Sequence, residues 1–133
     1  MRSNRAVGNS FEQDLCELLF VNGFWAHNLK QDNSGQPADV IAVRDQKAYL
    51  IDCKDCAKGY FDLRRVEDNQ ITAMELWRDR GNKQGWFALR VDEEVYMIPF
   101  IVIMAYANER ASLSNADIKE LGTLFEKWVK KCK

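Results

Sequence analysis

The chain is poor in the residues that stiffen, staple or coordinate. Of its 133 residues only two are proline and one is histidine. Four cysteines, Cys16, Cys53, Cys56 and Cys132, are too few and too scattered for the disulfide framework of a small secreted domain, and read as free thiols. A single histidine leaves no imidazole cluster for zinc. The run Cys53-Lys54-Asp55-Cys56 has CxxC spacing, but its first cysteine lies in a strand-like segment, not at a helix start, which argues against a redox pair. Cys16, His27 and Cys132 lack zinc-finger spacing. No apolar run approaches the ~20 residues of a membrane span. The N-terminus has no signal-peptide core, so a cytoplasmic location with no membrane partner is expected. Excess charge of one sign is also missing: 19 Lys and Arg stand against 20 Asp and Glu, a net charge of -1. Charge alone does not suggest nucleic acid.

What is present is an ordinary globular composition, 47% hydrophobic and 29% charged, of one-domain size. Residues 1–133 are expected to form one domain, with a mobile arm over 1–7. Phe11, Leu15, Leu18 and Leu19 have helical spacing over 8–22. Residues 24–30 are a short strand candidate, and 31–37 a loop rich in Asn, Ser, Gly and Pro. Residues 38–44 and 47–54 are strands separated by Asp45 and Gln46. Residues 61–80 read as a second helix, 85–91 and 94–98 as a second hairpin, and 100–108 as a short helix. A final helix over 113–133 starts from the N-cap candidate Ser114 and places Ile118, Leu121, Leu124, Phe125 and Trp128 on one side. This order predicts an α/β fold, a central mixed β-sheet flanked by α-helices.

The chemistry is concentrated in the first hairpin. If Asp45 and Gln46 form a two-residue turn, Arg44 pairs with Lys47 and Asp39 faces Asp52. Two acids opposite one another repel. They make sense if a cation lies between them, and a hard divalent ion such as magnesium takes oxygen ligands of this kind. Period-2 alternation puts Lys54 on the same face as Asp52, where it can orient a water or stabilise charge on a phosphate. An isolated DxK tripeptide is more often plain surface. Here, however, Asp52 ends the apolar run AYLI and Asp39 begins the run VIAV, and acids at the ends of buried strands need a reason. Glu12 borders the buried face of the first helix; the alternative is an ordinary exposed acid in a first turn. Gln70 is the polar member of a stripe with Val66, Met74 and Trp77; the alternative is an amide capping a backbone group.

Together Glu12, the loop NSGQPAD ending at Asp39, the strand ending Asp52-Cys53-Lys54, and Gln70 resemble the PD-(D/E)xK nuclease superfamily. Residues 8–54 resemble the archaeal-type Holliday-junction resolvases. The segments YFDLRRVEDNQ, GWFALRV and VYMIPF resemble the RecU-like resolvases. The resemblance implies a restriction-endonuclease-like fold and a magnesium-dependent DNA endonuclease, with manganese able to substitute, acting on four-way junctions as a homodimer. It implies that Asp39, Asp52 and the Cys53 carbonyl bind the metal, and that Glu12 contributes through a water or a second ion. Lys54 would position the attacking water, with help from Gln70, and Ser34 and Gly35 would approach the scissile strand. Ala38 replaces the usual proline before the first acid, and the second acid is Asp where Glu is common. The RecU stalk insertion is missing.

Counting Glu12, Asp39 and Asp52 as neutralised by metal leaves 19 basic against 17 acidic residues, a balance of +2. Arg5, Lys30, Lys58 and Arg64 are the candidate DNA contacts, grouped by their nearness to the site in sequence; singly each reads as a solvated charge. Two other readings remain open: an endonuclease acting on other DNA structures in restriction, repair or phage processing, and a non-catalytic DNA-binding module on the same fold.

Overall fold

The computed structural model describes residues 10–29 and 38–132. Helix α1 (Ser10–Val21) leads into an antiparallel meander of β1 (Trp25–Asn28), β2 (Val40–Arg44) and β3 (Lys47–Asp55). A small excursion follows: β4 (Tyr60–Asp62), a 3-10 turn (Leu63–Arg65) and helix α2 (Asp68–Asp79). It returns the chain to β5 (Trp86–Val91), parallel to β3, and then to β6 (Glu94–Pro99). Helix α3 (Phe100–Ala107), strand β7 (Ser112–Ser114), helix α4 (Asn115–Leu121), strand β8 (Thr123–Leu124) and helix α5 (Phe125–Lys131) complete the order. The main sheet runs β1-β2-β3-β5-β6-β8, and β4 pairs with β7 in a second, two-stranded sheet. The expected mixed sheet with flanking helices is therefore what forms.

Alternation along β3 divides the core. Tyr49, Ile51 and Cys53 pack on one face with Phe11, Leu15 and Leu19 of α1 and with Phe125 and Trp128 of α5. Leu50 faces the other side, with Phe61, Met74, Phe87, Leu89 and Ile103. Trp128 is the hub of the first face: Phe24 stacks on it at 5.9 Å, and Tyr49 and Trp86 meet it edge-on at 5.4 and 5.6 Å. Arg44 locks the same corner. Its guanidinium lies 4.3 Å from the Phe24 ring and donates to the carbonyls of Asn22, Val129 and Cys132 at 2.9, 2.8 and 2.6 Å. A cation on the last carbonyls of α5 also suits the helix dipole.

The first hairpin takes the expected register, from Arg44↔Lys47 to Val40↔Ile51. Its turn residues Asp45 and Gln46 have φ of 52° and 67°, the left-handed pair that matches strand twist in a two-residue turn. Asp92 and Glu93 repeat the device between β5 and β6, with φ of 51° and 67°.

Two expected helices differ. The segment 61–80 is not one helix: Asp62 accepts from the Arg64 amide at 2.9 Å and caps the start of a 3-10 turn, which ends at the extended Val66 and Glu67. Only Asp68–Asp79 is α-helical. The C-terminal helix over 113–133 is broken in two. Ser114 does cap α4, accepting from the Asp117 amide at 3.1 Å, but the chain becomes extended at Gly122 and β8 joins the sheet edge beside β6. A Cβ on Gly122 would lie 2.9 Å from both the Ile118 carbonyl oxygen and the Tyr96 Cβ. Glycine is therefore required by close approach. We expect Gly122→Ala to cost about 1–3 kcal/mol, as overpacking does; urea denaturation would read it, and an unchanged midpoint would contradict this packing.

Candidate active site

Asp39 immediately precedes β2, and Asp52 lies in the second half of β3. The Asp39 amide donates to the Ile51 carbonyl at 3.1 Å, and its Oδ2 accepts from the Cys53 amide at 2.7 Å. A side-chain oxygen thus holds the Cys53 amide and fixes the carboxyl beside β3. Asp52 is fully buried, the one charged residue in the core of the described residues. Neither of its carboxylate oxygens has a hydrogen-bond partner. Lys54, on the same face of β3, brings its Nζ to 3.5 Å from Oδ2, an ion pair longer than a hydrogen bond.

These surroundings make the Asp52 charge costly. Burial, and then the facing Asp39 carboxyl, push Asp52 up to about 8, with Lys54 pulling the other way. Asp52 therefore keeps its proton near neutrality in the metal-free site. Glu12 is half-buried in the first turn of α1 and is also raised, by burial and by the Asp39 charge, against its own backbone hydrogen bond and the pull of Arg90 and Lys54. Glu12, Asp39, Asp52 and Lys54 thus form one electrostatic neighbourhood.

The donor set fits a hard divalent cation. Carboxylate and carbonyl oxygens are what magnesium takes, and a cation would satisfy the two orphaned oxygens of Asp52. Among the described residues no three His, Cys, Asp or Glu side chains are gathered closely enough to hold a metal by themselves. Cys53 is buried on the opposite face of β3 from Asp52, so its thiol belongs to the core.

The remaining expected residues fall unevenly. The Oε1 of Gln70 accepts from the Glu67 amide at 3.3 Å at the start of α2, the capping role that was the alternative reading. Arg64 is exposed, and Asp62 holds its guanidinium through contacts of 3.1 and 2.9 Å. Lys58 lines a groove of about 840 Å³ beyond the end of β3, together with Asp14, Asp55, Asp92, Glu93 and Arg90. Arg5, Lys30, Ser34 and Gly35 lie outside the described residues. His27 is exposed on β1, stacked on Trp25 at 5.9 Å.

Sequence reasoning passed over Arg90. Its Nη1 lies 3.2 Å from Asp14, its Nη2 2.6 Å from Asp55, and its guanidinium 4.6 Å from the Phe11 ring. The signal was a lone charge between buried Leu89 and Val91 in an otherwise apolar strand.

A mixed sheet flanked by helices, with the buried Asp52 beside the half-buried Asp39 and Lys54 on the same face, has the restriction-endonuclease-like fold. The Archaeoglobus fulgidus Hjc structure, a Holliday junction resolvase from an archaeal hyperthermophile, matches with a TM-score of 0.69 at 18% identity, over 92% of this chain and 98% of that one. The bacterial homing endonuclease I-Ssp6803I matches with a TM-score of 0.53 at 18% identity, over 80% of this chain and 72% of that one. No curated protein sequence matches the chain. The archaeal Holliday junction resolvase (Hjc) family matches residues 3–132, and the chain belongs to that family of junction-resolving nucleases. The match also spans the segments that resemble the RecU-like resolvases.

A stability prediction follows from the raised Asp52. A folded-state carboxyl that titrates above its unfolded value binds an extra proton, so metal-free stability falls as pH rises from about 4 to about 8. Asn at position 52 removes this loss. In EDTA, Asp52→Asn should raise Tm more at pH 8 than at pH 4.5, by at least ~4 °C, the equivalent of roughly 1 kcal/mol. An equal Tm difference at both pH values would contradict the buried, raised carboxyl.

Proposed function

We propose that the chain resolves four-way DNA junctions by magnesium-dependent phosphodiester hydrolysis, acting as a homodimer. The observation that carries this reading is the buried Asp52 carboxylate, both oxygens without a donor, between Asp39 and Lys54. In this reading Asp39, Asp52 and the Cys53 carbonyl would hold the cation, with Glu12 contributing through a water or a second ion. When bound, the cation neutralises the carboxylates and polarises the scissile phosphate.

The chain's own groups account for the rest. Lys54 carries a positive charge into a site where it is only 12% exposed, so its field is weakly screened. It is placed to orient the incoming water and to stabilise charge building on the phosphate oxygens. Water forms the new bond to phosphorus while the bond to the 3′ oxygen breaks. The 3′ oxygen takes up a proton, leaving 5′-phosphate and 3′-hydroxyl ends. Asp39 accepts the Cys53 amide and so keeps the carboxyl pair aligned as the substrate enters. We assign Gln70 to capping α2, with Lys58, Arg64, Arg5, Lys30, Ser34 and Gly35 as the proposed DNA-facing set.

A dimer is supported by apolar surface at one end of α1 and on the edge strand. Phe20, Val21 and Trp25 are 72%, 77% and 58% exposed, and a second copy would cover them. No helix among the described residues is long and apolar enough to cross a membrane.

The test is a labelled synthetic four-way junction beside matched duplex and flap substrates, with magnesium or EDTA. Symmetric cuts in the junction, absent with EDTA, are expected. Asp52→Asn should lower the cleavage rate on the order of 10³-fold, while junction affinity is kept or tightened because repulsion of phosphate is reduced. Metal-dependent cleavage retained in that variant would sink the site assignment. Binding without cleavage of any substrate by the unsubstituted chain would favour a non-catalytic module.

A further inference from the structure

We propose that Arg90 is a positioning residue that sets the place of Glu12 relative to the Asp39–Asp52 pair. This rests on the reading of Glu12 as part of the site.

Arg90 pairs with Asp55 in the parallel β3–β5 ladder, one residue beyond Lys54 in the active strand. From there its side chain crosses to α1. It contacts Asp55 of β3 at 2.6 Å, Asp14 of α1 at 3.2 Å, and the Phe11 ring at 4.6 Å. Phe11 and Asp14 bracket Glu12 in the first turns of that helix. Phe11, Leu15 and Leu19 bury one face of α1 against the sheet. Apolar packing chooses the buried face but is non-directional, and restrains rotation and sliding weakly. A planar guanidinium held at three points restrains both. Arg90 therefore ties the strand bearing Asp52 and Lys54 to the helix turn bearing Glu12. A displacement of about 1 Å at such a group can cost ~10²-fold in rate.

The alternative role, a direct phosphate contact, is disfavoured by the surroundings. Two carboxylates already balance the guanidinium, which is 22% exposed. The groove it faces also carries Asp92 and Glu93, which repel a phosphate backbone.

A double-mutant cycle separates the roles. The full chain would be made with Arg90→Met, Glu12→Gln, both together, and Arg90→Lys. Four quantities would be read: single-turnover junction cleavage in magnesium, junction affinity in calcium, calcium affinity by calorimetry, and Tm. Glu12→Gln and Arg90→Met should each slow cleavage, the latter by roughly 10- to 100-fold, with junction affinity within about twofold. The double variant should be no slower than Glu12→Gln, and calcium affinity should follow the same non-additive pattern. That second cycle stays readable if cleavage in the Glu12→Gln background falls below detection. Arg90→Lys should restore only part of the rate, because one ammonium cannot fork to both carboxylates.

An equal Arg90→Met factor with and without Glu12 would overturn the proposal, and so would weakened junction binding with normal cleavage of bound junction. If Glu12→Gln alone changes neither cleavage nor calcium affinity, the reading of Glu12 fails first and the proposal falls with it. Should Arg90→Met unfold, Asp14→Asn loosens the same tether while leaving Arg90 paired with Asp55. It should slow cleavage less, and only while Glu12 is present; a slowing that persists without Glu12 would again overturn the proposal.

Discussion

Two carboxyl groups, Asp39 and Asp52, meet where the β2–β3 ladder opens, and their repulsion is the constraint to which the neighbouring groups answer. The ladder cannot slip to relieve it. Asp45 and Gln46 are both left-handed and close a two-residue turn, and a one-residue shift would send Leu50 and Ile51 to the wrong layers of the core. The pair is therefore imposed by the same register that buries the strands. Asp39 is partly stabilised by the Cys53 amide, whereas Asp52 has only Lys54 at a distance. Metal-free, the site answers with a retained proton. Bound to a cation, it would answer with ligation.

The remainder of the molecule holds this end still. Trp128, clasped by Phe24, Tyr49 and Trp86, anchors α5 beneath the sheet, and Arg44 caps that helix from the far end of the active hairpin. On the other face α2 and α3 cover Phe87 and Leu89 of β5, the strand that supports β3. From α1, Glu12 comes within electrostatic reach of Asp39 and Lys54, which makes the junction between α1 and the sheet a sensitive one.

Much of this was legible in the sequence because it follows from period and pairing. Alternation placed Asp52 and Lys54 on one face, and the spacing of two strands around Asp45 and Gln46 placed Asp39 opposite Asp52. What was not legible depended on local competition or on distant partners. Asp62 diverts the chain into a 3-10 turn within a segment whose apolar spacing looks helical. The last helix breaks at Gly122, where β8 pairs with Tyr96 of β6, far off in sequence, and that close approach leaves no room for a Cβ. Gln70 sits where its spacing put it, but a nearby backbone amide takes its oxygen. Arg90 was hidden because its partners Asp14 and Asp55 lie on two other elements, and no spacing rule joins the three.

A divalent cation bound between Asp39 and Asp52 would replace the proton that burial keeps on Asp52. Calorimetric titration of calcium into the metal-free protein near pH 7, repeated in buffers of different ionisation enthalpy, reads this exchange. Calcium uptake should release a proton, and both should be lost in Asp52→Asn. Binding without proton release, or binding unchanged in that variant, would contradict it.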